Sequence, residues 1–287
     1  MSGLNIGDQR FAGDDGTADP RLAAILAAYA AGRESERAVL TALTGARLLV
    51  PLLERPASEA ASEASEAASE VSEASEAGEG CDHRAAREMA FPTLIGRDGR
   101  PALLAFTSLA ALVSWRPDAR PVPAPAGQVW ETAVADECAV MIDVAGPVPV
   151  AVDGARLAAL AAGDPPPEPH TDPDIRADVA AALADVAAPL AAAAAAQPGG
   201  PAIAGADLAA GPDGSDLAVR LLLRAGPPRT APGQPGQPEQ RVQEAVRQAA
   251  EAIVARLAGR LRRGIQFSAV VDPRAPDAPR APSGLGG

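Results

Sequence analysis

Side chains able to do chemistry are sparse in this chain. The tightest grouping is Cys81-Asp82-His83, where a thiol and an imidazole stand two residues apart. Those types can share a metal ion or act as nucleophile and base. Two ligands do not close a tetrahedral site, and the other Cys and His, Cys138 and His170, fall at a strand start and in a proline-rich stretch far along the chain. A nucleophile also needs rigid positioning, which the low-complexity run before Cys81 does not offer. The grouping therefore reads as incidental, with no metal site and no catalytic residues expected. All 25 basic residues are arginine. The absence of lysine removes both a phosphate-loop lysine and a Schiff-base lysine, and no cofactor loop is present, so no cofactor is expected.

A better candidate for recognition lies at Trp115, Arg116, Asp118 and Arg120. An indole, two guanidinium forks and a carboxylate sit there on a proline-bounded loop. Arginine forks suit carboxylates, and loops held by a scaffold often carry binding. The competing reading is structural: Trp115 fills the core, Asp118 pairs with an arginine to lock the turn, and Trp130 packs beside Trp115. Both stay open on the sequence.

The elements that must position this loop follow from periodicity. Asp19 and Pro20 open a helix carrying Leu22, Ile25, Leu26 and Tyr29, and a second helix holds Val39, Leu40 and Leu43. Residues 46–53 form a buried apolar strand, which Pro51 is expected to end early or place at an edge. Residues 89–96 and 101–106 form a hairpin about Asp98-Gly99. Thr107 or Ser108 caps a helix to Trp115, and a proline-rich crossing over 116–125 leads to a helix over 128–136. Strands at 139–144 and 148–152 then pair, and Asp153 caps a helix over 156–162. In the second half, a helix covers 174–196 and is interrupted at Pro189. Strands follow at 202–208 and 217–224, a loop at 226–238, a helix over 239–263 and a strand over 265–271. The fold class is α/β (α+β): two small mixed-sheet domains with helices packed on the sheets, disordered tails and a low-complexity insertion.

The expected boundaries are a disordered lead-in at 1–19, a first domain at 20–162, a linker at 163–173, a second domain at 174–271 and a disordered tail at 272–287. Residues 55–80 are a Ser-Glu-Ala insertion with seven glutamates against Arg55, which is half of the net charge of −12. That charge argues against nucleic acid as a partner, because a polyanion needs a basic surface. The N-terminus has no basic-then-apolar run and no apolar stretch reaches the ~20 residues of a membrane span, so a cytoplasmic chain with reduced thiols and no membrane partner is expected.

The run over 87–122 carries Gly96-Arg97-Asp98-Gly99, Ala105-Phe106-Thr107-Ser108, Leu112 and Trp115-Arg116-Pro117-Asp118-Ala119-Arg120. With these residues it strongly resembles the N-terminal domain of the SseB family in its actinobacterial form. The resemblance extends back to Leu48-Leu49-Val50-Pro51 and forward through 140–160, and the second half is similar to the SseB C-terminal domain. The resemblance implies a link to serine sensitivity without an agreed enzymatic activity. A translocon subunit shares the family name, but its role is not carried across, because the long apolar segment it needs is missing. The function expected is therefore a non-catalytic binding or regulatory module whose partner is a protein or a small anionic metabolite. An enzyme acting on an amino-acid-like metabolite and a secretion-associated structural protein remain alternatives.

Overall fold

In the computed structural model, residues 11, 13–55, 88–96, 99–196, 202–224 and 237–272 are described. The Ser-Glu-Ala repeats, Cys81, Asp82, His83, the 97–98 turn tip and the tail beyond 272 lie outside them. The chain divides into two compact units, residues 1–27 with 39–166 and residues 28–38 with 167–287. Among the described residues no helix is long and apolar enough to cross a membrane. Both units are mixed α/β, as the patterning requires.

The first unit begins with α1 (Pro20–Ala30) and α2 (Glu36–Thr44), except that residues 28–38, the end of α1 and the start of α2 included, belong to the second unit. Next come β1 (Arg47–Arg55), β2 (Glu88–Ala90), β3 (Thr93–Ile95), β4 (Pro101–Ala105) and α3 (Leu109–Trp115). The unit closes with β5 (Arg120–Pro125), α4 (Ala126–Ala135), β6 (Ala139–Ile142), β7 (Val150–Val152) and α5 (Gly154–Ala162). One sheet has the order β3-β4-β6-β7, with β4 and β6 parallel and the outer pairs antiparallel. The other has the order β2-β1-β5, and a single bridge from Leu49 to Phe106 connects it to the end of β4.

Four expectations change here. The 13–19 stretch is ordered, with Asp14 and Asp15 accepting from the backbone of Gly16 and Thr17 in local turns. The first hairpin arm is broken at Phe91-Pro92, so that β2 pairs with β1 and only β3 pairs with β4. Pro51 neither ends β1 nor marks an edge, because β1 is the middle strand and runs on to Arg55. The proline-rich crossing is itself largely strand β5. Its prolines 121, 123 and 125 all have one parity and lie opposite Pro51, Leu49 and Arg47. Leu49 exchanges both backbone bonds with Phe106 at 2.8 Å, so that parity makes no ladder bond between β1 and β5. The missing proline N–H groups therefore fall on the outer edge of β5, where they deter pairing with another strand.

Asp153 precedes α5, but its side chain makes no capping bond. It pairs instead with Arg156 and Arg100. Burial raises the Asp153 carboxyl, and the Arg156 and Arg100 guanidiniums outweigh that effect to hold it below the usual carboxylate range.

The second unit contains α6 (Pro173–Ala196), β8 (Ala202–Ala210), β9 (Leu217–Arg224), α7 (Gln237–Leu257) and β10 (Ile265–Asp272). Its sheet has the order β10-β9-β8, with β8 antiparallel and β10 parallel to β9. Helix α6 continues through Pro189, since its alanine-rich flanks propagate past one lost bond. Helix α7 stops at Leu257 rather than 263, and Gly264 takes a φ of 94° before β10. Ile175, Val179 and Leu183 of α6 meet Leu217, Val219 and Leu221 of β9 and Ala249, Ile253 and Leu257 of α7. Each large aliphatic side chain buried there contributes on the order of 1.5–3 kcal/mol.

The stretch expected as linker ends inside this packing. Asp172 is 1% exposed. It caps α6 through the Asp174 N–H at 2.8 Å and meets Arg260 Nη2 at 2.6 Å, while Glu36 faces Arg260 Nε at 3.5 Å. Tyr29 completes this corner, with the Arg262 guanidinium 4.7 Å from its ring centroid. Removing Asp172 takes away the cap of α6 and leaves Arg260 with the longer Glu36 contact, so Asp172→Ala is expected to cost about 2–4 kcal/mol in urea unfolding of the second unit. Arg256→Ala breaks the exposed pair with Asp185 at 2.7 Å and is expected to cost less than about 1 kcal/mol. Equal losses in the two variants would contradict this placement of Asp172.

Candidate functional site

The loop singled out by the sequence is supported from beneath by β4. That strand ends at Ala105, and the chain passes through Phe106, Thr107 and Ser108 into α3. Ser108 is the N-cap, and its Oγ accepts from the Ala111 N–H at 3.2 Å. Thr107 does something else. Its N–H donates to Asp143 Oδ1 at 2.8 Å and its hydroxyl donates to Asp143 Oδ2 at 2.6 Å. Asp143 directly follows β6, so the two bonds tie together the carboxyl ends of the parallel strands β4 and β6.

Asp143 is 5% exposed and holds a positive φ of 49°. Aspartate is among the few non-glycine residues that tolerate that region. Burial pushes its carboxyl above the usual range, and the two Thr107 bonds only partly oppose the rise.

Residues 13–19 strap the start of α3. The Leu109 N–H donates to the Gly16 carbonyl at 2.7 Å, and Gly16 has a φ of 74°. A Cβ at Gly16 would lie 2.8 Å from Leu109 Cβ, so this crossing admits only glycine. Arg47, at the start of β1, fixes the strap. Its Nε pairs with Asp14 Oδ2 at 2.6 Å, while its terminal nitrogens donate to the carbonyls of Thr17 at 2.6 Å and Thr107 at 3.3 Å.

From this base α3 delivers the four predicted residues. Trp115, half-buried, stacks on Phe106 with ring centroids 5.5 Å apart and planes tilted by 32°. The Arg116 N–H closes the helix on the Leu112 carbonyl at 2.8 Å. Arg116 Nε then meets Asp118 Oδ1 at 3.1 Å, with the two side chains 50% and 65% exposed. Ala119 is buried, and the exposed Arg120 starts β5 opposite Leu52. The structure therefore joins Arg116 to Asp118, turns Trp115 toward the core and carries Arg120 onto the adjacent strand. Trp130 is fully buried in α4, and the aromatic partner of Trp115 is Phe106, not Trp130.

The cluster of Thr107, Asp143, Arg47 and Gly16 was not anticipated. Its one sequence signal is a lone aspartate after an apolar strand. Cys138, just before β6, is free and buried, and burial pushes its thiol above the usual range, which disfavours the thiolate a nucleophile needs.

Together these features define a mixed α/β domain that holds a short polar loop between a helix end and an edge strand. Residues 22–159 match the family model for the SseB protein N-terminal domain, so the first unit carries a domain of the SseB family. No curated protein and no solved structure matches it.

The Thr107 to Asp143 link predicts a contrast between two substitutions. Asp143→Ala leaves the buried Thr107 N–H unpaired and strains the backbone, for an expected loss of roughly 3 kcal/mol. Asparagine can accept from that N–H, donate to the hydroxyl and keep the left-handed backbone, so Asp143→Asn is expected to stay within about 1 kcal/mol of the parent. Because the folded-state carboxyl is raised, its contribution is most favourable below the unfolded value and declines as pH rises through the folded one. Relative to Asp143→Asn, the parent should therefore lose stability on going from acid to neutral pH in thermal unfolding. An unchanged difference across that range would contradict the link.

Proposed function

We propose that this chain is a non-catalytic binding module that recognises an anionic partner, a protein or a small carboxylate metabolite, at Arg116, Asp118 and Arg120. The second unit is taken as its SseB C-terminal counterpart. The supporting observation is the half-exposed Arg116 fork. Its Nε is engaged by Asp118 at the end of a capped helix, and its Nη groups have no other partner among the described residues. A guanidinium oriented in this way loses less freedom on meeting a carboxylate than a loose one. Serine and other amino acids carry such a carboxylate, which fits the link to serine sensitivity that the family resemblance implies. A cytoplasmic setting goes with this reading, as does a free, buried Cys138.

A structural role for the loop competes with this reading, and the stacking of Trp115 on Phe106 favours it. The two differ in what Arg116→Ala combined with Arg120→Ala does. A binding loop predicts a double variant within about 1 kcal/mol of the parent that loses partners in affinity capture from native lysate. A structural loop predicts a destabilised protein whose folded fraction keeps the same partners. An unchanged partner list from a stable double variant would overturn the proposal.

A further inference from the structure

The second unit carries a groove that the SseB-type domain has no part in. It lies between α6 and β8 with a volume of about 350 Å³, near the lower end of the roughly 300–1,000 Å³ of ligand pockets. Its existence follows from side-chain size. Ala180, Ala184 and Ala187 face it from α6, and Ala204, Gly205 and Ala206 face it from β8. Small residues on both walls leave a gap that Val179, Leu183, Ile203 and Leu208 border without filling. A bulge in β8 between Ile203 and Gly205 shifts the register against β9 beside this gap. Bulges commonly re-aim side chains next to binding sites.

The groove has one charged lining residue. Arg176 sits one turn before Ala180 on the same helix stripe, exposed, and donates from Nη2 to the His170 carbonyl at 3.2 Å. It has no carboxylate partner among the described residues. Arg37, Arg47, Arg100, Arg116, Arg247 and Arg256 each have one. An apolar trough ending at an arginine without a counter-ion complements a molecule with an aliphatic chain and a terminal carboxylate. We infer that the α6 to β8 groove binds a free aliphatic carboxylate, with its chain against the alanine-lined walls and its carboxylate on Arg176. The inference stands apart from the loop of the first unit.

Octanoate titrated into the full chain, followed by methyl NMR, provides the test. Saturable shifts are expected at Leu183, Ile203 and Leu208. Ala184→Phe should fill the groove and abolish them, and Ala187→Leu serves the same purpose if the first variant does not fold. Arg176→Gln should weaken octanoate by about tenfold while leaving octanol within about twofold, since only the carboxylate loses its charged partner. The inference is overturned if the parent gives no saturable shift, if the shifts survive a filled groove, or if Arg176→Gln leaves octanoate affinity unchanged. Binding to anionic phospholipid vesicles without any response to octanoate would also overturn it.

Discussion

The first unit depends on a single buried carboxylate. Among the described residues Asp143 has no cation to offset its burial, yet it anchors both donors of Thr107 and so fixes where β4 ends and α3 begins. Every later position on that path inherits the constraint: the Ser108 cap, the stacking of Trp115 on Phe106, and the Arg116 to Asp118 contact beyond the helix end. A charge buried without a counter-ion opposes stability, and it is tolerated here because both oxygens are satisfied. Arg47 reinforces the same point from the opposite side by tying the Thr107 carbonyl to the 13–19 strap. The exposed loop thus stands on a base with little freedom, which is the condition that recognition by a short surface segment requires.

The second unit uses a different economy of residues. Its buried core is aliphatic, but alanines line the facing stretches of α6 and β8, and alanine removes little area from water. Two results follow from that composition. Ion pairs such as Asp172 with Arg260 fix the register of the α6 start, where apolar packing alone specifies little. Where alanines and glycine face one another across α6 and β8, volume remains open to solvent. Composition, topology and groove are therefore one chain of cause.

Much of the secondary structure was legible because it rests on local rules. Ser108 as a cap, the turn before Pro101 and the helix over 109–115 all follow from neighbouring residues. Proline is where local rules mislead most. Read one at a time, Pro51 and the prolines of β5 signal interruption, but their shared parity puts the missing donors where the β1 to β5 ladder needs none. The 13–19 stretch looked featureless because its order depends on Arg47 and Leu109, both remote in sequence. The Thr107 to Asp143 pair was hidden for the same reason, since 36 residues separate its members. Of the four candidate residues, the sequence locates the loop but leaves open that Trp115 faces inward while Arg116 and Asp118 face solvent.

Amide hydrogen exchange at Thr107 and Arg116 tests most directly whether the exposed loop is held by the buried carboxylate. The Thr107 N–H is bonded to Asp143 and the Arg116 N–H to Leu112. If the loop is held as described, both exchange only through the cooperative opening of the first unit, with the same protection and the same denaturant dependence. Fast local exchange at Arg116 while Thr107 stays protected would mean that the helix end frays independently of its base, and would contradict a loop preorganised for the proposed binding.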